Sequence, residues 1–311
     1  MPILPFPLED RYYRFSYYLR KKFGEKVHRI SLDAGFTCPT RDGKLGRGGC
    51  LYCDNASFSR IGSEKLIPVR DQLITGIERI KQHRKARKYL AYFQSYTNTY
   101  APVYDLEKLY QSVLDIPDVV GILIGTRPDC VNDNILQLLK DLNRDIYVSI
   151  EFGIESVYNK TLKWARRMHD FAATERAIEQ SKNLGLHVAG HIIFGFPTES
   201  REEILASAGT LNRLKLDALK IHHLHIVKNS ALADLYQKSP FPLFMENEWI
   251  KLVSDFLERL SSEIVIQRLV SDAMPGTLIA PRWTLSKMEI LSRIEKILRQ
   301  RDSYQGKLIQ V

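Results

Sequence analysis

Thr37-Cys38-Pro39 and, past a short basic loop, Gly48-Gly49-Cys50-Leu51-Tyr52-Cys53-Asp54 are the residues from which this 311-residue sequence is best read. Three of its four cysteines fall here as C-x11-C-x2-C. A C-x2-C pair turns two sulfurs onto one face, and Gly43, Gly46, Gly48 and Gly49 let the loop curl back so that Cys38 joins them. Three thiolates with a fourth corner left open suit a [4Fe–4S] cluster, since an all-cysteine site closes with four. A zinc site would need Asp54 or the distant His28 as its fourth ligand. A redox pair would leave Cys38 without a role. Spacing alone leaves all three readings standing.

Outward from that loop, short β-branched or aromatic runs alternate with helical periodicity. Strands are expected at 27–33, 89–94, 119–125, 146–152, 187–194 and 217–226. Helices are expected at 70–84, 105–114, 132–142, 171–184 and 199–213, with Asn132 or Asp133 capping the third and Gly185 closing the fourth. Strand–helix alternation implies parallel pairing with right-handed crossovers. The first strand–helix turn lacks G-x-G-x-x-G, so a dinucleotide fold is disfavoured. The expected fold is α/β, a partial (β/α)6 TIM-type barrel with a C-terminal α+β extension. Residues 1–26 read as an N-terminal basic and aromatic helical segment, 27–230 as the barrel core and 231–311 as the extension. Within that extension a helix is expected over Trp249–Leu260, a strand over Ile264–Leu269 and a helix over Leu285–Leu298.

Apolar residues make up 44% and charged residues 26%, which excludes disorder as the main reading. The net charge of +9 points toward a polyanionic partner, nucleic acid first. The N-terminal stretch does not read as a secretory signal, and no window resembles a membrane span. A cytoplasmic, reducing setting follows as an expectation, and there clustered thiols mean metal or catalysis.

The residues now resemble a known family. The three-cysteine loop after strand one, with Tyr52 before the last cysteine, is similar to the radical S-adenosylmethionine (SAM) superfamily. Its long gap resembles the elongator-catalytic-subunit-like branch, which modifies tRNA. The likeness extends through Gly125-Thr126-Arg127-Pro128-Asp129, Glu151-Phe152-Gly153-Ile154-Glu155-Ser156, Arg166-Arg167-Met168-His169 and Gly195-Phe196-Pro197-Thr198-Glu199. In the tail, Arg268-Leu269-Val270-Ser271-Asp272 and Ala280-Pro281-Arg282-Trp283 resemble the MnmL/YtqA/YhcC-like subgroup. The resemblance implies a [4Fe–4S] cluster on Cys38, Cys50 and Cys53. It also implies SAM chelated at the open iron and cleaved reductively to a 5′-deoxyadenosyl radical.

It further implies cofactor contacts from Gln94, Ser95 and Asn98 after strand two, Glu151 on strand four, Arg167 and Gly195. Glu151 sits in an apolar run, and a buried carboxylate needs a partner; by resemblance it meets the SAM ribose or amine, otherwise it forms a structural ion pair. Arg167 would pair with the SAM carboxylate, with Arg166 its rival; Met168 stands where relatives carry glycine. Gly195 would let the chain approach the adenine, or is ordinary turn chemistry. Cys130 reads more simply as a packed small residue than as a redox thiol. Alternation puts His223 and His225 on one face and His222 on the other. Arg127, Lys220, His223 and His225 are candidate substrate contacts at the rim, and Lys228 would add charge there.

Basic residues interleave with aromatics over Arg11–Lys22 and follow one another over Lys81–Lys88, either of which could meet RNA phosphates and bases. For the first, packing of the tyrosines on the barrel is the competing reading; for the second, a solvated helix face. By resemblance the substrate is tRNA, the reaction carboxymethylaminomethyl-uridine to aminomethyl-uridine at the wobble position, and the electron donor a protein such as flavodoxin or ferredoxin. The rivals are radical SAM chemistry on a small or porphyrin-like substrate, and a non-catalytic zinc-stabilised RNA-binding protein.

Overall fold

Parallel neighbours cannot be joined by a tight turn, so each crossover here is carried by a longer segment, usually a helix. A computed structural model describes residues 4–54, 67–83 and 87–309. Helix α1 (Phe15–Phe23) leads into β1 (Val27–Leu32); then come α2 (Val69–His83), β2 (Lys88–Phe93), α3 (Val103–Gln111), β3 (Val119–Thr126), α4 (Asp133–Leu142) and β4 (Tyr147–Glu155). Two helices, α5 (Asn159–Trp164) and α6 (Phe171–Asn183), precede β5 (His187–Phe194), and α7 (Arg201–Arg213) precedes β6 (Ala218–His223). The extension contributes β7 (Ile226–Val227), α8 (Ala231–Lys238), α9 (Glu246–Leu257), β8 (Val265–Arg268), β9 (Leu278–Ala280) and α10 (Lys287–Gln300).

The main sheet runs β1-β2-β3-β4-β5-β6-β8, every pair parallel, as a curled half-barrel. Six strands come from the alternation read in the sequence. The seventh, β8, comes from the extension and pairs with β6 through Ala218–Val265 and Leu219–Ile266. The tail is therefore part of the barrel wall rather than a layer beside it. Its ends are tied back too: the Gln305 side chain accepts from Tyr13 N–H and donates to the carbonyls of Ser261 and Ile264.

Local chemistry sets the helix ends as expected. The Asn132 side chain accepts from Ile135 N–H to start α4, and Gly185 turns left-handed (φ +75°) after α6. Ser200 and Glu203 form a reciprocal capping box on α7.

The sheet's two faces differ. Its outer face (Leu32, Phe93, Ile124, Phe152, Phe194, Ile221) packs beneath the helices. Its inner face is apolar toward the strand N-termini, where Leu90, Leu123, Ala189, Ala218 and Val265 meet Phe6, Tyr13, Phe15 and Leu19. The N-terminal segment thus plugs the barrel floor. This corrects its reading as a stacking surface for bases: Tyr12, Tyr13 and Phe15 are buried, and Tyr18 lies against Phe15 and His187. In the second basic segment, Arg84, Lys85 and Ala86 lie outside the described residues.

Candidate active site

Above the plug the inner face becomes polar. One cavity there is lined by Cys38, Cys50 and Cys53 on one wall and by Tyr92, Gln94, Glu151, His191, Lys220, His222 and Arg268 on the other. It opens at the C-terminal ends of the strands, the working face of a (β/α) barrel.

The cysteine loop is shaped by glycines in the left-handed region, Gly48 (φ +86°) and Gly49 (φ +80°). A Cβ on Gly49 would come within 2.8 Å of Arg41 Nε, and Arg41 donates to the Cys53 carbonyl at 2.6 Å. Thr97 bonds the Cys38 thiol at 2.9 Å. Arg167 Nη1 lies 3.5 Å and Arg127 Nη1 3.9 Å from Cys50 Sγ. Burial pushes the Cys53 thiol up to about 11 and also raises Cys38.

Among the described residues, no three His, Cys, Asp or Glu side chains gather tightly enough to share one metal ion. A single zinc draws its sulfurs to about 4 Å of one another, given Zn–S bonds of about 2.3 Å. A cluster takes each thiolate on a different iron and accepts a wider set. Three thiols on one wall, flanked by arginines, fit such a cluster.

Opposite them Glu151 is fully buried. Its Oε2 accepts from Lys220 Nζ and from His191 Nε2 at 3.0 Å, while Oε1 has no partner. Burial alone would raise its pKa, but the Lys220 ammonium and then the His191 bond hold it well below the usual carboxylate range. Burial brings Lys220 down to about 7 against the pull of Glu151. Lys220 also donates to Tyr92 Oη at 2.8 Å. The unpartnered Oε1, facing a polar cavity, suits a hydroxyl or ammonium donor of a bound cofactor.

Of the adjacent arginines, Arg167 enters the cavity and Arg166 is exposed. Arg167 donates to the Gly153 carbonyl at 2.7 Å and lies 3.8 Å from Glu155. Gly153 leaves it room: a Cβ there would stand 3.2 Å from Arg167 Nη2 and 2.6 Å from Glu155 Oε1. Met168 takes the glycine-like φ of +60°.

Other expected residues fall elsewhere. Asn98 is buried and donates to the carbonyls of Phe93, Ser95 and Gly125, so it ties the loop together and does not line the cavity. Ser95 is buried outside the lining, and it is Gln94 that faces in. Gly195 (φ +104°) faces Phe244, 3.3 Å from where a Cβ would lie, again outside the cavity. His223 stacks on Trp283 at 4.0 Å and meets His225 at 2.6 Å, both buried away from the lining. Lys220 is at the barrel's interior rather than its rim, because its long chain points inward toward Glu151. Arg127 sits on the thiol side, held by Asp129 through two bonds of 2.9 Å. Cys130 lies next to Asp129 in a neighbouring hollow with Met168, its thiol raised by burial to about 12.

Sequence reasoning passed over Tyr92 and His191, and it named His222 and Arg268 without marking either as a site residue. For His222 the signal was present: strand alternation places it on the face of Lys220, two residues earlier.

Residues 45–211 match the profile of the Radical SAM superfamily, and residues 216–300 that of the Radical_SAM C-terminal domain. The Bacillus subtilis (strain 168) protein YtqA is 38% identical over 98% of this chain and 96% of its own length. A tRNA uridine(34) acetyltransferase of Methanocaldococcus infernus is 29% identical over 51% of this chain, which spans only 30% of that protein. The solved structure of the archaeal Methanocaldococcus infernus Elp3 superposes with a TM-score of 0.70 at 17% identity, over 90% of this chain and 64% of that one. Among the described residues, no helix is long and apolar enough to cross a membrane. By profile and by full-length similarity, this chain belongs to the radical SAM superfamily, whose cofactors are a [4Fe–4S] cluster and SAM.

Proposed function

We propose that this radical SAM enzyme acts on tRNA in the cytoplasm, at the C5 substituent of the wobble uridine, converting a carboxymethylaminomethyl group to aminomethyl. The observation that carries the tRNA reading is the half-chain similarity to a protein named for uridine 34 of tRNA. The +9 charge supports it. With the N-terminal tyrosines committed to the plug, charge rather than a stacking platform is what favours RNA.

In this reading Cys38, Cys50 and Cys53 hold the cluster. Arg167 pairs with the SAM carboxylate beside Cys50, and Glu151 Oε1 accepts from a ribose hydroxyl or the methionyl amine. Gln94 adds a polar contact, while Ser95, Asn98 and Gly195 shape the loops behind the cavity. When bound and reduced by a carrier such as flavodoxin or ferredoxin, the cluster and SAM supply hydrogen-atom abstraction. The protein's own contribution is orientation and a water-poor cavity.

Anaerobic reconstitution, followed by mass spectrometry of nucleosides from tRNA incubated with SAM and reductant, tests this. Loss of carboxymethylaminomethyl-uridine with gain of aminomethyl-uridine is the expected result. SAM consumption with unchanged nucleosides, and tRNA binding that does not weaken with salt, would move the substrate to a small molecule. A colourless, zinc-bearing protein would end the catalytic reading. Cys50→Ala is expected to lose cluster iron, the broad absorbance near 400 nm and all conversion; retained activity would overturn the cluster assignment.

A further inference from the structure

The cavity holds cations on both sides, and among the described residues Arg268 alone of its lysines and arginines lacks a bonded partner. On the thiol side Arg41, Arg127 and Arg167 each have acceptors: the Cys53 carbonyl, Asp129, and the Gly153 carbonyl with Glu155. On the opposite side Lys220 is satisfied by Glu151 and Tyr92. Arg268, at the end of β8, is different. Among the described residues it has no hydrogen-bond or ion-pair partner, yet its side chain lines the cavity. Burial first, and then the nearby Arg29, lower its pKa. Arg268 is half-buried, and although Tyr92, Asp272 and Glu151 act on it through space, none of them bonds the guanidinium, so its donor fork is left open to an anion in the cavity.

His222 adds a second unmet group on the same side. Ser271 Oγ lies 2.6 Å from its Nδ1, and its Nε2 is buried with no partner. With the Ser271 hydroxyl donating to Nδ1, Nε2–H is a donor lacking an acceptor. Arg268 also lines a groove between β1 and β8, alongside Arg29, Gln267 and Lys287. The two free edges of the half-barrel meet there, and Arg29 donates to Gln267 at 3.2 Å across the gap. Arg268 thus stands where the inner cavity communicates with the open side of the barrel.

We propose that Arg268 and His222 form a carboxylate-binding subsite for the substrate. The planar guanidinium fork matches a carboxylate through two parallel bonds, and an imidazole N–H supplies a third donor. Arg41 bonds the cysteine loop, and Arg127 and Arg167 lie against Cys50 Sγ; Arg268 does neither. The anion it takes is assigned to the substrate, apart from the SAM carboxylate proposed for Arg167. The subsite rests on the proposed tRNA reading only for the identity of the bearer, which there is the carboxymethyl end of the uridine substituent.

The test compares reconstituted wild type with Arg268→Gln, Arg268→Lys and His222→Gln. Binding is measured to anticodon stem-loop RNA bearing carboxymethylaminomethyl-uridine and to the same RNA bearing aminomethyl-uridine, which lacks the carboxylate. Wild type is expected to favour the first by about 10- to 100-fold, the range of a charge-assisted bidentate pair. In Arg268→Gln the ratio falls to about 1; Arg268→Lys retains part of it, because the charge remains while the fork is lost. His222→Gln lowers it several-fold, and so tests the subsite even if Arg268→Gln fails to fold.

Equal weakening toward both RNAs would assign Arg268 to a phosphate and overturn the proposal. Loss of SAM affinity in Arg268→Gln, read by equilibrium dialysis, would place it on the cofactor and overturn it as well. Line broadening of 13C-labelled acetate separates the two readings. Acetate bound by wild type but not by Arg268→Gln, with no conversion of tRNA, keeps the subsite and removes the tRNA assignment. Conversion of tRNA with the binding ratio unchanged in Arg268→Gln removes the subsite and keeps the tRNA assignment.

Discussion

The lower and upper halves of the barrel interior are built from the same strands, on the same face, a few ångströms apart. On β2 the inward positions run Leu90, Tyr92, then Gln94; on β5 Ala189, then His191; on β6 Ala218, Lys220, then His222. Each step of two residues toward the strand ends leaves the apolar floor for the polar cavity. The floor is held by the plug, Phe15 and Leu19 among its residues, and gains from area removed from water. The upper half gains little from burial, since Glu151 and Lys220 are desolvated and persist there because they are paired. One sheet thus combines a region built for stability with a region whose stability is conditional on its partners.

The sharpest way to break this contrast is to unpair the upper half. Glu151→Gln takes away the anion that holds a proton on buried Lys220, whose pKa is already down at about 7. The lysine must then either carry an unpaired charge or give up its proton, at an expected cost of about 3–5 kcal/mol. Adding Lys220→Met removes the stranded amine and recovers most of that loss. Urea denaturation at neutral pH reads both variants. The pH dependence has a fixed sign. Because the Glu151 pKa is lower in the folded protein, its stabilisation is complete above the ordinary carboxylate pKa and is lost as pH falls below it. Glu151→Gln flattens that acid limb. A single-variant cost under about 1 kcal/mol would mean that water reaches the pair and that the two halves are not energetically distinct.

Phe15→Ala probes the floor. It removes a buried aromatic side chain from the plug, where Phe15 stacks on Tyr18 at 6.1 Å, and is expected to cost about 3 kcal/mol through lost contacts and an incompletely closed cavity. Unlike the Glu151 variant, it breaks no buried ion pair; the Arg29 guanidinium that lies 5.2 Å from the Phe15 ring centroid keeps its bond to Gln267. Iron and SAM bound per folded molecule should match wild type, since no plug residue is itself part of the cavity lining. Impaired cluster loading at full folding would show that floor and rim are coupled.

The sequence made most of the sheet legible and less of the site. Strands expected at 119–125 and 187–194 appear as Val119–Thr126 and His187–Phe194, because runs of β-branched residues bounded by turn residues read locally. The strand expected over 217–226 ends at His223 instead; Leu224 N–H then bonds back to the Phe194 carbonyl, and Ile226 joins a separate ribbon with Ala280. That break carries His225 away from the cavity. Arg268 was not legible as a site residue, since its position depends on β8 joining β6 across more than forty residues of chain. The N-terminal tyrosines show a further limit. Aromatic and basic residues in alternation describe a helix that plugs a barrel as well as one that stacks on bases, and only the burial of Tyr12, Tyr13 and Phe15 separates the two.

The smallest expected effect lies at the rim, where strain rather than charge or packing is at issue. Met168 takes a left-handed backbone with φ of +60°, and Arg166 beside it takes +56°. Between them the Arg167 N–H bonds to the Leu162 carbonyl at 2.9 Å, which fixes where its side chain leaves the backbone. For a residue with a Cβ that conformation costs about 1 kcal/mol. The Met168 side chain is 55% exposed, so little packing is lost when it is removed. Met168→Gly relieves the strain but gives the unfolded chain more freedom, and these terms nearly cancel. The net gain is expected to be at most about 1 kcal/mol, a rise in Tm of about 1–3 °C. A fall in Tm of more than a few degrees would show that Met168 is held by its contacts with the neighbouring hollow and not merely tolerated in a glycine-like turn. The rim would then depend on packing as the floor does, and the energetic division between the two halves would stop short of the Arg167 loop.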